Sequence, residues 1–221
     1  GLIVDRYGDT LVAQFTSAGT ERWKAVIADA LLQATGLTRL YERSDASVRA
    51  PEGLEPATGW LRGGPVAGGE APPVELTIHE HQWQLTLNIA EGHKTGCCLD
   101  QRDSRKRFAD YARRLGFQRV LNCFCYTGGF SVAALAGMRA AEAEGGAPGG
   151  QVVSIDSSGP ALERARAHVA LNGFDVNRAR FMDADVNASL RQFLKEGQSF
   201  DAIVLDPPKF APTAAHADRA A

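Results

Sequence analysis

The second half of the chain alternates short apolar runs with stretches of helical periodicity. The apolar runs cover residues 119–123, 152–155, 179–182 and 200–205. Stretches with apolar positions three or four residues apart cover residues 105–115, 130–143, 160–171 and 187–195. Short strands that alternate with helices are typical of a parallel sheet with right-handed crossovers. The pattern therefore predicts an α/β domain with four parallel strands.

The first part of the chain has a different pattern, which predicts a small α+β domain. Strands are predicted over residues 2–4, 11–15, 37–41 and 83–89, and a helix over residues 23–32. Residues 51–73 are crowded with glycine and proline, which predicts a surface loop, with a hinge or substrate-contacting arm as the alternative. We place the small domain at residues 1–90 and the α/β domain at residues 91–221.

The predicted sheet has only four strands. A sheet of this kind without its last crossover would have an unprotected edge and a partly uncovered face. Residues 212–221 are weakly patterned and predict no further strand. We therefore expect the fold and its chemistry to be completed beyond residue 221.

The composition is typical of a globular protein, because 44% of the 221 residues are hydrophobic and 23% are charged. No run approaches the roughly 18 apolar residues of a membrane span, and the first residues lack the layout of a signal peptide. We therefore expect a cytoplasmic protein with no membrane partner. The formal charge of −2 supplies no general attraction to nucleic acid, so a role on RNA has to be argued from motifs.

The four cysteines predict neither a metal site nor a disulfide framework. Cys97 and Cys98 are adjacent, and Cys123 and Cys125 are separated by one residue, which fits neither zinc ligands nor a secreted disulfide pattern. The histidines are not clustered either. We expect reduced, structural cysteines and no bound metal.

Polar and glycine residues gather where the predicted strands end. In chain order these positions are the glycine turn at residues 124–129, Asp156, the pair Asp183 and Asp185, and Asp206. Ligands of an open α/β sheet bind outside the carboxyl ends of its strands, so these groups are predicted to line one crevice. A glycine turn lets the backbone approach a ligand closely, although it also serves tight strand-to-helix packing.

The aspartates of the second and third strands suit an adenosine-containing cofactor. Asp156 can accept both ribose hydroxyls, with a solvated carboxylate that caps the next helix as the alternative. Asp185 is interpreted as a partner of the adenine amino group, with the N-cap of the next helix as the alternative. For Asp183 we favour the N-cap.

The most specific local motif is Asp206-Pro207-Pro208-Lys209-Phe210. Its two prolines stiffen the loop and remove two N–H donors, which leaves carbonyls to accept from the edge of a flat base. Phe210 could stack on that base. A purely structural turn at the end of a strand is the alternative.

A polar block at residues 93–105 precedes the first helix of the α/β domain. Within it, Arg102 can clamp a carboxylate through two parallel hydrogen bonds. A solvated linker is the alternative.

Together these residues resemble a known family. Residues 121–130, followed by Asp156, Asp185 and residues 206–210, are similar to the class I methyltransferases that use S-adenosylmethionine (SAM) to modify 23S ribosomal RNA. The resemblance is strongest to the large-subunit rRNA cytosine-C5 methyltransferase group, whose relatives include a guanine-N7 methyltransferase domain. The block at 93–105 and the first nine residues resemble the same family, so the similarity spans nearly the whole chain.

The resemblance implies a Rossmann-like class I methyltransferase domain with SAM as its cofactor and 23S ribosomal RNA as its partner. It is also compatible with a homodimer. The small α+β domain would help to bind RNA. Members of the family carry an N-terminal RNA-binding domain and, on a later strand, a nucleophilic cysteine. This chain begins after the first and ends before the second.

The resemblance also implies roles for individual residues. Gln101 and Arg102 would lie near the methionine end of SAM, with Asp156 at the ribose and Asp185 at the adenine. The loop beneath the cofactor would comprise Asn122, Phe124, Tyr126, Thr127 and Gly128. Asp206 would contact the cofactor and act as the catalytic residue, and the RNA base would be contacted by Pro207, Pro208, Lys209 and Phe210.

Cytosine C5 is a poor nucleophile, and enzymes of this chemistry first add a thiolate to C6 of the ring. The resemblance places that cysteine beyond residue 221, so we expect the chain alone to bind SAM weakly or not at all and not to methylate RNA.

Three alternatives remain open. A nicotinamide-dependent dehydrogenase has a similar sheet, but the first turn of this chain lacks the G-x-G-x-x-G motif. An RNA-binding or assembly module could keep the fold without the chemistry. A methyltransferase that acts on guanine N7 or an exocyclic amine would need no thiolate.

Overall fold

The computed structural model describes residues 1–45, 47–65, 72–91, 95–97 and 99–207. The chain forms two compact units. The first contains Gly1–His79 and Thr86–Leu99, and the second contains Glu80–Leu85 and Asp100–Ala221. A short segment from the earlier part of the chain therefore belongs to the second unit.

The first unit is built on a four-stranded sheet in the order β1-β2-β3-β4. Its strands are β1 (Leu2–Tyr7), β2 (Thr10–Phe15), β3 (Arg39–Ser44) and β4 (Ala57–Arg62). β2 and β3 are parallel and are connected through helices α1 (Ala18–Arg22) and α2 (Lys24–Thr35), whereas both outer strands run antiparallel to their neighbours. The core of this unit joins β2, β3 and α2 through the buried side chains of Phe15, Ala28 and Leu40.

Strand β4 corrects a prediction, because it lies inside the region 51–73 whose composition predicts an irregular loop. It pairs with β3, and Trp60 packs edge-to-face on Tyr41 with ring centroids 5.2 Å apart. Gly59 within the strand has a φ of 140°, which glycine tolerates and other residues rarely adopt. Pairing with a strand distant in sequence thus outweighs the local loop preference.

A separate hairpin is formed by β5 (Glu75–Glu80) and β6 (Trp83–Asn88). β6 confirms the strand predicted near residues 83–89. The pattern does not predict β5, because one of its two buried positions is the charged Glu80 rather than an apolar residue.

The second unit contains a parallel four-stranded sheet, as predicted. Its strands are β7 (Arg119–Cys123), β8 (Gln151–Asp156), β9 (Ala179–Asp183) and β10 (Ala202–Leu205). Its helices are α3 (Arg102–Leu115), α4 (Gly129–Ala143), α5 (Gly159–Leu171) and α6 (Val186–Lys195). The strand order is β10-β7-β8-β9, so the chain steps outward from β7 to β9 and then returns to the other side of β7. The direction reverses between β7 and β10, the point at which open α/β sheets bind ligands.

Helices pack on the two faces of this sheet. On one face, Leu121 and Ile155 pack with Val186 and Phe193 of α6. On the other face, α4 packs closely against α3, where a Cβ on Gly137 would meet the carbonyl of Ala109. The all-parallel sheet with covering helices confirms the Rossmann-like α/β fold.

Candidate functional site

The loop after β7 has an unusual backbone conformation. Phe124, Tyr126 and Gly128 have φ angles of 54°, 47° and 74°, so three alternating residues are left-handed and two of them carry side chains. Such residues cost roughly 1–3 kcal/mol each and persist where the surrounding structure holds them. The N–H of Cys125 donates to the carbonyl of Ile155 over 3.0 Å, and the N–H of Gly128 donates to Cys125 over 2.8 Å. The loop is therefore held by its neighbours.

Asp156 lies at the carboxyl end of β8 and holds the same loop. Its Oδ2 accepts the N–H of Tyr126 over 2.7 Å, and its Oδ1 accepts the N–H of Ser158 over 3.0 Å. The N-cap of α5 is Ser158, so the alternative that Asp156 caps this helix is wrong. A carboxylate has about four acceptor positions, so Asp156 can still accept two hydroxyl groups.

Asp185, and not Asp183, is the residue that caps the helix after β9. Asp185 is the N-cap of α6, and its Oδ1 accepts the N–H of Ala188 over 2.7 Å. The prediction that Asp183 serves as the cap is therefore wrong, because α6 begins two residues later than that position requires. Both carboxylates are exposed near the end of β9. Asp185 keeps its Oδ2 as an acceptor while it caps the helix.

Gln101 and Asp206 come together although they are far apart in sequence. Nε2 of Gln101, just before α3, lies 3.4 Å from Oδ2 of Asp206, just after β10. Arg102 is the exposed first residue of α3. Pro207 is half-buried after Asp206. The predicted base-contacting residues Pro208, Lys209 and Phe210 lie outside the described residues.

Asn122 is not brought into the site. Its side chain is 2% exposed and donates to Oγ of Ser131 over 2.8 Å. Ser131 in turn lies 2.7 Å from Oγ of Ser154 on β8. A side chain enclosed in this way supports the loop from the sheet face instead of presenting atoms to a ligand.

A buried ion pair, which the sequence pattern does not predict, lies next to Gly129. Nε of Arg105 donates to Oε1 of Glu80 over 2.6 Å, and the same oxygen accepts Nε1 of Trp83 over 3.2 Å. A Cβ on Gly129 would lie 2.9 Å from Cδ of Arg105, so the glycine makes room for the arginine. Arg105 interrupts the apolar pattern of α3, and a charged residue at a buried helical position was the available signal.

The buried His168 of α5 is a second contact that the sequence analysis missed. Its Nδ1 lies 2.8 Å from the carbonyl oxygen of Thr127 in the loop. The periodicity of α5 predicts a buried position there, but it does not indicate which group the imidazole meets.

The cysteines beside the loop are poor nucleophiles. Burial raises the pKa of the Cys123 thiol to about 11. Burial, and then the charge of Asp156, raise the pKa of the Cys125 thiol to about 12. Cys123 and Cys125 are free thiols in the structure. Within the described part of the chain, no cluster of histidine, cysteine and carboxylate side chains could hold a metal ion.

A loop with two left-handed non-glycine residues and a carboxylate with spare acceptors therefore meet at the carboxyl ends of β7 and β8. The profile of a family described as S-adenosylmethionine-dependent methyltransferases matches residues 52–216. The chain belongs to this family. SAM is therefore the cofactor of this methyltransferase domain. In the described ranges, no helix is long and apolar enough to cross a membrane.

Curated relatives of this methyltransferase chain have names that specify RNA. A ribosomal RNA large subunit methyltransferase I from Erwinia tasmaniensis is 46% identical over 210 residues, covering 95% of this chain and 48% of the relative. The protein of the same name from Vibrio cholerae is 42% identical over 222 residues, covering 100% and 51%. The chain thus spans about half the length of the curated relatives it matches.

Solved structures show the same fold. A structure assigned to the SAM-dependent methyltransferases, from Streptococcus mutans, superposes with a TM-score of 0.74 at 25% identity, over 94% of this chain and 48% of that one. A proposed methyltransferase solved in complex with SAH, the demethylated product of SAM, superposes with a TM-score of 0.75 at 25% identity, over 96% and 49%.

Proposed function

We propose that this chain is the SAM-binding part of an enzyme that methylates C5 of a cytosine in 23S ribosomal RNA. The observation that carries the proposal is the meeting of the strained 124–128 loop with Asp156 at the carboxyl ends of β7 and β8, next to the switch point of a methyltransferase sheet. The names of the relatives support large-subunit ribosomal RNA as the substrate. The resemblance of residues 121–130 and 206–210 to the cytosine-C5 group supports the base. A ribosomal RNA substrate also supports a cytoplasmic location for the proposed enzyme.

Each part of the cofactor has a proposed partner. Asp156 would bind the ribose with the acceptor positions that Tyr126 and Ser158 leave open. Asp185 would accept from the adenine with Oδ2. Gln101 and Arg102 would bind the methionine end, and the loop from Phe124 to Gly128 would lie beneath the cofactor. We propose residues 91–221 as the SAM-binding domain and residues 1–90 as a domain that contacts RNA.

The proposed chemistry assigns Asp206 to the substrate. A cysteine thiolate adds to C6 of the cytosine, and the displaced electron pair reaches C5, which takes up the methyl group. Bound SAM supplies that methyl group and leaves as SAH. Asp206, beside Gln101, stabilises the base at its N3/N4 edge while a base removes the C5 proton and the thiolate departs. The nucleophile is a cysteine other than Cys123 and Cys125, because burial keeps both thiols protonated.

The cofactor assignment is tested with Asp156→Asn in the complete enzyme and isothermal titration with SAH, because the chain alone is expected to bind the cofactor weakly. Loss of a charged acceptor costs about 1.5–3 kcal/mol, so we expect Kd to rise roughly tenfold or more. Asp201→Asn is the matched control. Asp201 also accepts two backbone N–H groups, from Gln118 and Arg119 at 2.7 and 2.8 Å, but it lies before β10 at the other end of the strands. Equal Kd changes in the two variants would contradict the site.

The target base is tested in cells. Nucleosides of 23S ribosomal RNA, from cells with and without the gene, are compared by mass spectrometry. We expect one 5-methylcytidine to disappear with the gene. Loss of 7-methylguanosine instead would overturn the cytosine assignment and leave the cofactor site intact.

A further inference from the structure

The carbonyl of Thr127 in the 124–128 loop is held by a side chain of α5. The acceptor is a backbone oxygen, and Nδ1 of His168 lies 2.8 Å from it. A carbonyl can only accept, so the proton of this hydrogen bond is on Nδ1 of the imidazole. His168 is 1% exposed, so water does not compete for the bond.

Helix α5 is fitted closely to the loop at this point. A Cβ on Gly128 would lie 2.7 Å from Cβ of Ala165, so only glycine allows this approach. His168 follows Ala165 by one helical turn and therefore faces the same loop. The two contacts fix adjacent parts of the loop against one rigid helix.

The peptide between Thr127 and Gly128 is consequently pinned at both ends. Its carbonyl accepts from His168, and its N–H donates to the carbonyl of Cys125 over 2.8 Å. Rotation of this peptide would break both bonds together. Without the bond from His168, only the bond from Gly128 to Cys125 would oppose this rotation, which would change φ of Gly128 and so move the end of the loop.

We propose that His168 is a positioning residue for SAM binding, which holds the Thr127 carbonyl and so keeps the cofactor loop in its binding conformation. This rests on the proposed placement of SAM at the loop. His168 contacts the loop at the Thr127 carbonyl, so it would act through Thr127 and not in methyl transfer itself.

Two isosteric variants separate the hydrogen bond from the volume of the ring. In His168→Asn the amide nitrogen occupies a position equivalent to Nδ1, whereas in His168→Gln it corresponds to Nε2. His168→Leu removes both. We expect the Kd for SAH, from isothermal titration, to rise about tenfold in the Leu and Gln variants, and to stay within about twofold in the Asn variant.

Arg178→Met is the matched control. Nε of Arg178 also donates to a backbone carbonyl, that of Gly150, over 2.7 Å, but at the opposite end of the sheet. We expect it to lower the melting temperature and leave the Kd for SAH unchanged. The proposal is overturned if the Leu and Gln variants bind SAH like the unmodified chain, if Asn is as weak as Leu, or if Arg178→Met weakens binding as much as they do.

Hydrogen exchange of the ligand-free protein keeps this test independent of the proposed function. We expect the Gly128 amide to exchange faster in His168→Leu than in the unmodified chain and in His168→Asn. An unchanged rate would overturn the positioning role even if SAH binds. Failure of the complete enzyme to bind SAH, with the exchange pattern as expected, would instead reject the cofactor site.

Discussion

Burial decides the chemistry of individual side chains next to the loop. Cys123 and Cys125 lie beside the candidate site, yet burial raises the pKa of their thiols to about 11 and about 12. Only the thiolate reacts readily with alkylating agents. We expect both thiols to resist iodoacetamide at pH 8 in the native protein and to react fully in urea, as measured by peptide mass spectrometry. Rapid native labelling of Cys125 would contradict the described packing.

Asp201 gives a pH-dependent prediction. The N–H groups of Gln118 and Arg119 lower the pKa of this carboxyl below its ordinary value of 3.8. A lowered pKa in the folded state stabilises the protein above the unfolded pKa, and this contribution is lost as pH falls through the folded value. We expect Asp201→Asn to unfold at lower urea concentration than the unmodified chain at pH 7. The difference should shrink as the pH falls below about 4. A constant difference would exclude this cause.

Sequence reasoning at the residue scale works where chemistry and position coincide. Asp156 and Asp206 directly follow apolar runs, and the ends of parallel strands are where ligand-binding groups collect. His168 and Arg105 carry no such signal, because each is one polar residue within an amphipathic helix. Only the three-dimensional packing of that helix determines which loop or strand it meets.

At the scale of elements, the contact between α3 and α4 depends on one glycine. A Cβ on Gly137 would lie 2.7 Å from Cβ of Ala112 and closer still to the carbonyl of Ala109. Gly137→Ala would gain about 1 kcal/mol in helix propensity. Overpacking typically costs about 1–3 kcal/mol, and a backbone oxygen cannot move aside without its helix. We expect a net loss of about 1 kcal/mol in the free energy of unfolding, measured in urea.

Gly19→Ala is the control for that prediction. Gly19 lies in α1, and a Cβ there would meet nothing within 4 Å. We expect the free energy of unfolding of Gly19→Ala to equal that of the unmodified chain or to exceed it slightly. If Gly137→Ala were as well tolerated, the two helices would have to be farther apart than described.

The elements themselves were predictable in proportion to their local patterning. The strands and helices after residue 100 agree with the prediction, because buried parallel strands are continuous apolar runs and their helices are periodic. β4 and β5 were missed for different reasons. β4 contains Gly59, and glycine is typical of loops. β5 buries Glu80, whose partner Arg105 is far away in sequence.

At the scale of the whole molecule, tryptophans report on each unit. Trp83 is buried in the second unit, while Trp23 and Trp60 belong to the first. A ligand stabilises the state that binds it, by about 2.7 kcal/mol at a hundred times Kd. In Trp23→Phe/Trp60→Phe, we expect SAH to raise the thermal midpoint reported by Trp83. In Trp83→Phe, the thermal midpoint is reported by Trp23 and Trp60 of the first unit. We expect SAH to raise that midpoint by no more than it raises the midpoint reported by Trp83. A larger shift in the first unit would place the ligand there.

Residues Glu80–Leu85 have a practical consequence for protein engineering. They belong to the second unit, where Glu80 neutralises Arg105 and Asn172 accepts from the backbone of Gln84 over 2.8 Å. A chimera spliced at a single point near residue 90 would take Glu80–Leu85 from one parent and the rest of the second unit from the other. Where the other parent has no acid at position 80, Arg105 would be left unpaired in the interior, which costs about 3–5 kcal/mol. Chimeras of such enzymes therefore need two crossovers, so that Glu80–Leu85 and the rest of the second unit come from the same parent.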